Sequence, residues 1–60
     1  MKIISNKIQC KHCGEILESK SEHDFKMCVC KRCGVDGGHD YLRRLGYPED
    51  FVDLSVVEEV

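Results

Sequence analysis

No stretch of this 60-residue sequence approaches the roughly 20 consecutive apolar residues that a membrane-spanning helix requires. The opening Met1-Lys2-Ile3-Ile4-Ser5 carries no apolar secretory segment, so the chain is expected to be soluble, with no membrane partner, and to work in a reducing cytoplasm. An excess of basic charge is also missing: nine Lys/Arg face eleven Asp/Glu, for a formal net charge of −2. Overall charge would therefore repel phosphate, and any nucleic-acid role has to rest on a local patch. Beyond two cysteine turns there are no internal repeats and no low-complexity segment. The chain also lacks length. At this size a single apolar core is close to the limit of what can outweigh chain entropy, and a staple is needed.

Cysteine is what the sequence has instead. Cys10-Lys11-His12-Cys13-Gly14 and Cys28-Val29-Cys30-Lys31-Arg32-Cys33-Gly34 are two tight cysteine turns separated by a loop. Two ligands from each turn close a tetrahedron around Zn²⁺. Metal binding of this kind contributes roughly 10–16 kcal/mol directly to folding when no site exists in the unfolded chain. Disulfides are the rival staple, but five cysteines is an odd number, and C-x-x-C turns suit a metal better. One structural zinc ion is expected. The same four thiolates accept Fe²⁺, with zinc the expected occupant.

Five cysteines for four positions leave two schemes open. Cys10, Cys13 and Cys30 belong to both. In one, Cys33 completes the set, because Cys30-Lys31-Arg32-Cys33-Gly34 mirrors Cys10-Lys11-His12-Cys13-Gly14 down to the trailing glycine. In the other, Cys28 and Cys30 form a C-x-C pair and Cys33 is left as a small buried apolar residue. His12, between two ligands on a short turn, reads as solvent-facing, and His23 and His39 read as surface residues where sulfur is plentiful.

Lys2-Ile3-Ile4 is a strand-like run, and Lys7-Ile8-Gln9 leads into the first turn. Glu15–Ser19 and His23–Met27 flank the polar reversal Ser19-Lys20-Ser21-Glu22 and are expected to pair antiparallel. Val35-Asp36-Gly37-Gly38 is the strongest hairpin signal, with Tyr41–Leu45 as the returning strand. Pro48-Glu49-Asp50 resembles a helix start, and Phe51, Leu54 and Val57 would share one face of a short helix. Val52, Val56, Val57 and Val60 equally permit an extended tail. The expected architecture is a small metal-stabilised β fold, a zinc ribbon of about three antiparallel strands over residues 1–47. An acidic, partly apolar segment over residues 48–60 would be a short helix or an extended tail.

His23-Asp24-Phe25-Lys26-x-Cys28-x-Cys30 followed by Val35-Asp36-Gly37-Gly38-x-Asp40-Tyr41-Leu42-Arg43-Arg44 resembles a family of small uncharacterised zinc-ribbon-like proteins of phages and Gram-positive bacteria. The resemblance covers nearly the whole chain. It implies a second turn of the form C-x-C-G, which favours Cys28 with Cys30, and a bacterial host cytoplasm. This sequence departs from it by placing Lys31 where the glycine stands and a glycine at position 34, which keeps Cys33 in contention. No biochemical activity is implied.

A closed four-cysteine site leaves no position open for substrate, and the His23-Asp24 and His39-Asp40 pairs lack the further residues a zinc-stapled His-Asn-His nuclease needs. The reading is a non-catalytic protein-binding module, of the kind a phage-derived accessory or host-modulating factor would be, acting on a larger protein. Its candidate contact residues are Asp40, Tyr41, Arg43 and Arg44 and, in the C-terminal segment, Phe51 and Leu54. The bland reading has the same loop satisfying itself, with both arginines paired to Asp36 and Asp40. Residues 48–60 hold five acids, no base and more apolar surface than a solvated tail, so they are expected to pack on the ribbon, on a partner or on a second copy as a homodimer. The alternative is nucleic-acid binding through Lys7, Lys11, Lys26, Lys31, Arg32, Arg43 and Arg44, with Tyr41 or Phe25 stacking.

Overall fold

The computed structural model describes residues 2–59 and is all-β apart from one turn of 3₁₀ helix. Strand β1 (Lys2–Cys10) is the spine, long enough to take partners on both edges. On one edge β2 (Ile16–Ser19) pairs antiparallel, with Ile8 opposite Leu17 and Asn6 opposite Ser19. The other edge is covered twice from the C-terminal end of the chain. Strand β6 (Phe51–Asp53) runs along the Ile8–Cys10 half, and β7 (Val56–Glu58) along the Lys2–Ser5 half, with a register shift between Ile3 and Ser5. A second antiparallel sheet is built from β3 (Lys26–Met27), β4 (Gly34–Asp36) and β5 (Arg43–Leu45). No helix among the described residues is long and apolar enough to cross a membrane.

Alternation along β1 decides what lies between the sheets. Asn6, Ile8 and Cys10 face inward and are buried, while Ser5, Lys7 and Gln9 face outward. The core that results is small: Ile8, Cys10, Leu17, Cys28, Cys33 and Val35, with Phe51 packed against it. Half of those six side chains are cysteines.

Two sequence expectations are corrected. Glu15–Ser19 and His23–Met27 do not pair with each other, because β2 pairs with β1 and β3 with β4. Pairing β2 to β1 sets Leu17 beside Ile8 in the core, and residues 20–25 fold back on themselves instead of forming a hairpin turn. Lys20 N–H donates to Asp24 Oδ2 at 2.9 Å, and Ser19 Oγ donates to the Asp24 carbonyl at 2.7 Å. At the C-terminal end the extended alternative is realised and the helix is not. Pro48–Asp50 makes a single 3₁₀ turn, and the β-branched residues after it complete the open edge of β1. Phe51, Leu54 and Val57 therefore share no helix face. Val60 lies outside the described residues.

Beneath the loop from Asp36 to Tyr41 lies a buried polar hub. Asn6 Nδ2 lies 2.9–3.3 Å from the carbonyls of Asp36, Gly38 and Tyr41, and its Oδ1 accepts from Arg44 Nη1. Ser19 Oγ accepts the Gly38 N–H at 2.9 Å. Arg44 Nη2 reaches Asp53 Oδ1 at 3.0 Å and also bonds Ser55 Oγ, which in turn accepts the Lys7 N–H. A loop carrying that many backbone polar groups can lie under cover only because these side chains satisfy them.

Candidate metal centre

Four sulfurs meet at one end of β1. The Sγ atoms of Cys10, Cys13, Cys28 and Cys30 all lie within 4.8 Å of one another, with Cys10–Cys30 at 3.5 Å and Cys28–Cys30 at 3.3 Å. A tetrahedron of thiolates at about 2.3 Å from an ion has edges of about 3.8 Å, so this set is spaced to hold one metal ion. The residues present fit a structural metal: Cys10 and Cys28 are buried, while Cys13 and Cys30 lie on the solvent side.

The two turns that deliver these sulfurs are built alike. In the first, Gly14 N–H bonds the Cys10 carbonyl at 3.0 Å, and Gly14 has φ +79°. In the second, Lys31 N–H bonds the Cys28 carbonyl at 2.9 Å, and Lys31 has φ +62°. The left-handed residue follows the second cysteine of each pair, and in the second turn that cysteine is Cys30. Gly34, the apparent counterpart of Gly14 in the sequence, has another duty. It sits in β4, where a Cβ would lie 2.5 Å from Met27 Sδ and 2.7 Å from the Lys26 carbonyl, so it is glycine for close approach of the strands.

Protons on the metal-free sulfurs are unevenly held. The backbone N–H of Cys13, and after it that of His12, point at Cys10 Sγ from 3.5 and 3.4 Å and, against burial, bring its thiol down to about 6. Burial opposes ionisation of Cys28, but hydrogen bonds from the Cys33 backbone and from Cys30 outweigh it and lower this thiol too. The Arg32 backbone pulls Cys30 down, yet desolvation and thiol hydrogen bonds to Cys28, Cys10 and Cys13 prevail and push it up to about 12. Lowered thiols at Cys10 and Cys28 ease the loss of protons that metal binding requires, because a metal is held by thiolates.

Cys33 is the fifth thiol. It is fully buried, and its Sγ donates to Cys28 Sγ at 3.7 Å, on the core side of the cluster. Burial, then hydrogen bonds to Cys10 and Cys28, push its thiol far up, so in the metal-free protein it stays protonated.

The centre is tied to the rest of the chain. Glu15 accepts the Val29 N–H at 2.7 Å and joins one cysteine turn to the other. Lys11 N–H bonds the Asp50 carbonyl at 2.8 Å, and His12 Nε2 meets Asp50 Oδ1 at 2.7 Å, so His12 serves the 3₁₀ turn. That contact with His12 holds the Asp50 carboxyl below the usual aspartate range. His39 Nδ1 donates to the Ile3 carbonyl at 2.9 Å.

Of the candidate contact residues, Asp40, Tyr41 and Arg43 are exposed, and Arg43 lies 3.9 Å from Asp36. Arg44 is different: its side chain is only 14 % exposed and its guanidinium is engaged with Asn6, Asp53 and Ser55. Phe51 packs against the core, and Leu54 is half-buried with its N–H on the Lys7 carbonyl. Asn6 and Ser19, which organise the loop holding Asp40 and Tyr41, were not among the residues that sequence reasoning picked out. Their signal is faint: one asparagine on the strand face that otherwise carries Ile8 and Cys10.

A family described as a domain of unknown function, DUF7695, matches residues 2–46 of the 60, and the chain belongs to it. No curated protein and no solved structure matches the chain.

Proposed function

We propose that this chain is a zinc-stapled, non-catalytic protein-binding module. The zinc assignment is supported by the all-sulfur donor set at tetrahedral spacing, closed by protein ligands with no position left for a reacting group. The binding assignment is carried by one observation, the apolar strip on the outer face of the β1 sheet. Ile16 and Val52 stand on either side of Gln9, and Val56 stands opposite Ser5, on the face turned away from the core. They are 56 %, 44 % and 52 % exposed. A chain this small that leaves three β-branched residues exposed on one face of its sheet has the makings of a contact surface. Exposed Glu49, Glu58 and Glu59 on the same C-terminal segment suit a protein partner whose apolar strip is bordered by basic side chains.

Photo-crosslinking tests this, with the crosslinker at position 52 and, as a control, at Glu22 in the far loop. Position 52 is expected to capture one protein that the control does not, and a folded Val52→Asp/Val56→Asp variant is expected to lose it. Retained binding by that variant, or capture of only a second copy of the chain, would overturn the assignment. The nucleic-acid alternative draws on exposed Lys11, Lys31 and Arg32 around the cysteine turns, with Tyr47, 72 % exposed, following Gly46, against which the Arg32 carbonyl lies. A salt titration separates the two, since phosphate-driven binding weakens steeply with salt and an apolar protein contact does not.

A further inference from the structure

We infer that Cys33 is a reserve metal ligand, which takes the fourth coordination position whenever Cys28 leaves it, so that five thiols serve one ion. The inference rests on the metal-centre reading and is independent of which partner the module binds.

Three placements carry it. The first is the spacing: Cys33 Sγ stands 3.7 Å from Cys28 Sγ, and the edge of a metal–thiolate tetrahedron is about 3.8 Å. The reserve sulfur is therefore one ligand edge away from the one it would replace. The second is the backbone. Met27 opposite Gly34 is the last pair of the β3–β4 ladder, and the Cys28 N–H continues that ladder to the Cys33 carbonyl at 3.0 Å. Cys28 and Cys33 are thus a cross-strand pair, whose side chains leave the sheet on the same side at a separation the ladder fixes. The third is burial. Both are core residues, at 2 % and 0 % exposure, packed among Ile8, Leu17 and Val35, so the reserve sulfur is held beside the cluster on its buried side.

The exchange balances without any co-reactant. The metal–Sγ bond to Cys28 breaks and a metal–Sγ bond to Cys33 forms. The proton on Cys33 crosses the existing S–H···S contact to the Cys28 thiolate it already faces. The ion keeps its oxidation state and the site its total charge, and Cys10, Cys13 and Cys30 stay bound throughout. Such a site resists leaving its ion on three thiolates, which is how a closed centre ordinarily begins to lose metal.

Cobalt substitution counts the sulfurs, because the thiolate-to-Co²⁺ charge-transfer intensity rises with each Co–S bond. The wild-type chain, Cys33→Ser and Cys28→Ser are each expected to bind one Co²⁺ with the same intensity, while Cys28→Ser/Cys33→Ser drops to about three quarters of it, three sulfurs in place of four. A Cys28→Ser spectrum matching that of the double variant would overturn the inference. Should Cys28→Ser take up no metal, the decision falls to the wild-type chain and Cys33→Val, both with Cys28 in place and Zn²⁺ loaded. Transfer of Zn²⁺ to an excess of EDTA is expected to run about tenfold faster in Cys33→Val, in line with losses seen when a residue supporting a metal site is removed. Equal transfer rates would sink the proposal. A wild-type chain that takes up no metal at all would remove the metal-centre reading along with it, an outcome distinct from either of these.

Discussion

Strand β1 runs through two regions that solve the same problem by opposite means. At its C-terminal end, around Cys10, the loops are gathered by four sulfurs whose mutual attraction is supplied only by an ion. About 13 Å back along the strand, around Asn6, the loops are gathered by the protein's own hydrogen bonds, which link Asn6 and Ser19 to three loop residues and Arg44 to Asn6. The first region is a set of like groups that repel once ionised. The second is a set of complementary donors and acceptors satisfied within the chain but for Arg44 Nε. One end of this domain should therefore follow metal concentration, and the other should respond only to substitution.

The largest effect expected is metal removal. Three of the six residues of the core cluster are cysteines, so its hydrocarbon part among the described residues is Ile8, Leu17 and Val35, with Phe51 against them and Ile3 buried further along β1. That is too little to hold 60 residues, and the lost binding energy is about 10 kcal/mol or more. Chelation should abolish cooperative unfolding by circular dichroism. A chelated chain that still melts cooperatively would mean that the hub alone folds the domain and that the comparison is drawn the wrong way round.

Next in size is the hub. Asn6→Ala removes the amide whose two N–H groups serve three loop carbonyls, and with it the acceptor facing Arg44 Nη1, leaving loop carbonyls under cover short of donors. Arg44 Nε already lacks a partner. The cost should be about 3 kcal/mol, read from urea midpoints at fixed excess Zn²⁺, with metal stoichiometry unchanged. Loss of the metal by Asn6→Ala would show that the two regions are one cooperative unit.

How much of this was legible in advance differs between the same two regions. Cysteine spacing announces the cluster, because C-x-x-C and C-x-C are local patterns that fix their own turns, and the all-β character follows from short β-branched runs between them. The hub is non-local: Asn6 meets residues 30 to 38 positions away, and nothing in the run Ser5-Asn6-Lys7 says that its amide faces inward. The C-terminal strands were hidden for a related reason. Phe51, Leu54 and Val57 fit a helix by spacing, and only the free edge of a nine-residue β1 decides for strand. Between Cys28 and Cys33 the sequence symmetry points to Cys33, through Gly34. The backbone points to Cys28, because the left-handed residue is Lys31.

A smaller effect sharpens the hub side. The Asp53 carboxylate loses solvation by partial burial, yet the Ser55 N–H and the Arg44 guanidinium hold it below the ordinary aspartate range. A depressed carboxylate stabilises the fold above its unfolded pKa of about 3.9, and that contribution is lost as pH falls through the lower folded value. Because Asp53 is about half exposed, screening limits Asp53→Asn to about 1 kcal/mol. The difference between wild type and variant should be constant from pH 7 to pH 5 and begin to shrink only as pH approaches 4. A difference that fades already between pH 7 and pH 6 would trace to the thiols and not to this pair.

The smallest effect sharpens the metal side, and it goes the other way. Gly14 and Lys31 occupy equivalent left-handed positions, at φ +79° and +62°, but only one of them is the residue that conformation favours. A side chain held left-handed costs about 1–2 kcal/mol, and glycine gives back about 0.5–1 kcal/mol through the greater freedom of the unfolded chain. Lys31→Gly should therefore stabilise the domain by about 0.5 kcal/mol, and Gly14→Ala should destabilise it by at least as much. Both are read as shifts in urea midpoint at fixed free Zn²⁺. The pair tests more than strain, because it asks which cysteine closes the second turn. If Cys28 and Cys30 are the ligands, the left-handed residue must follow Cys30, and relieving it tightens the turn that delivers both sulfurs. If the turn instead ran from Cys30 to Cys33, position 31 would lie inside it, and a glycine there would loosen the loop, giving Lys31→Gly the same sign as Gly14→Ala.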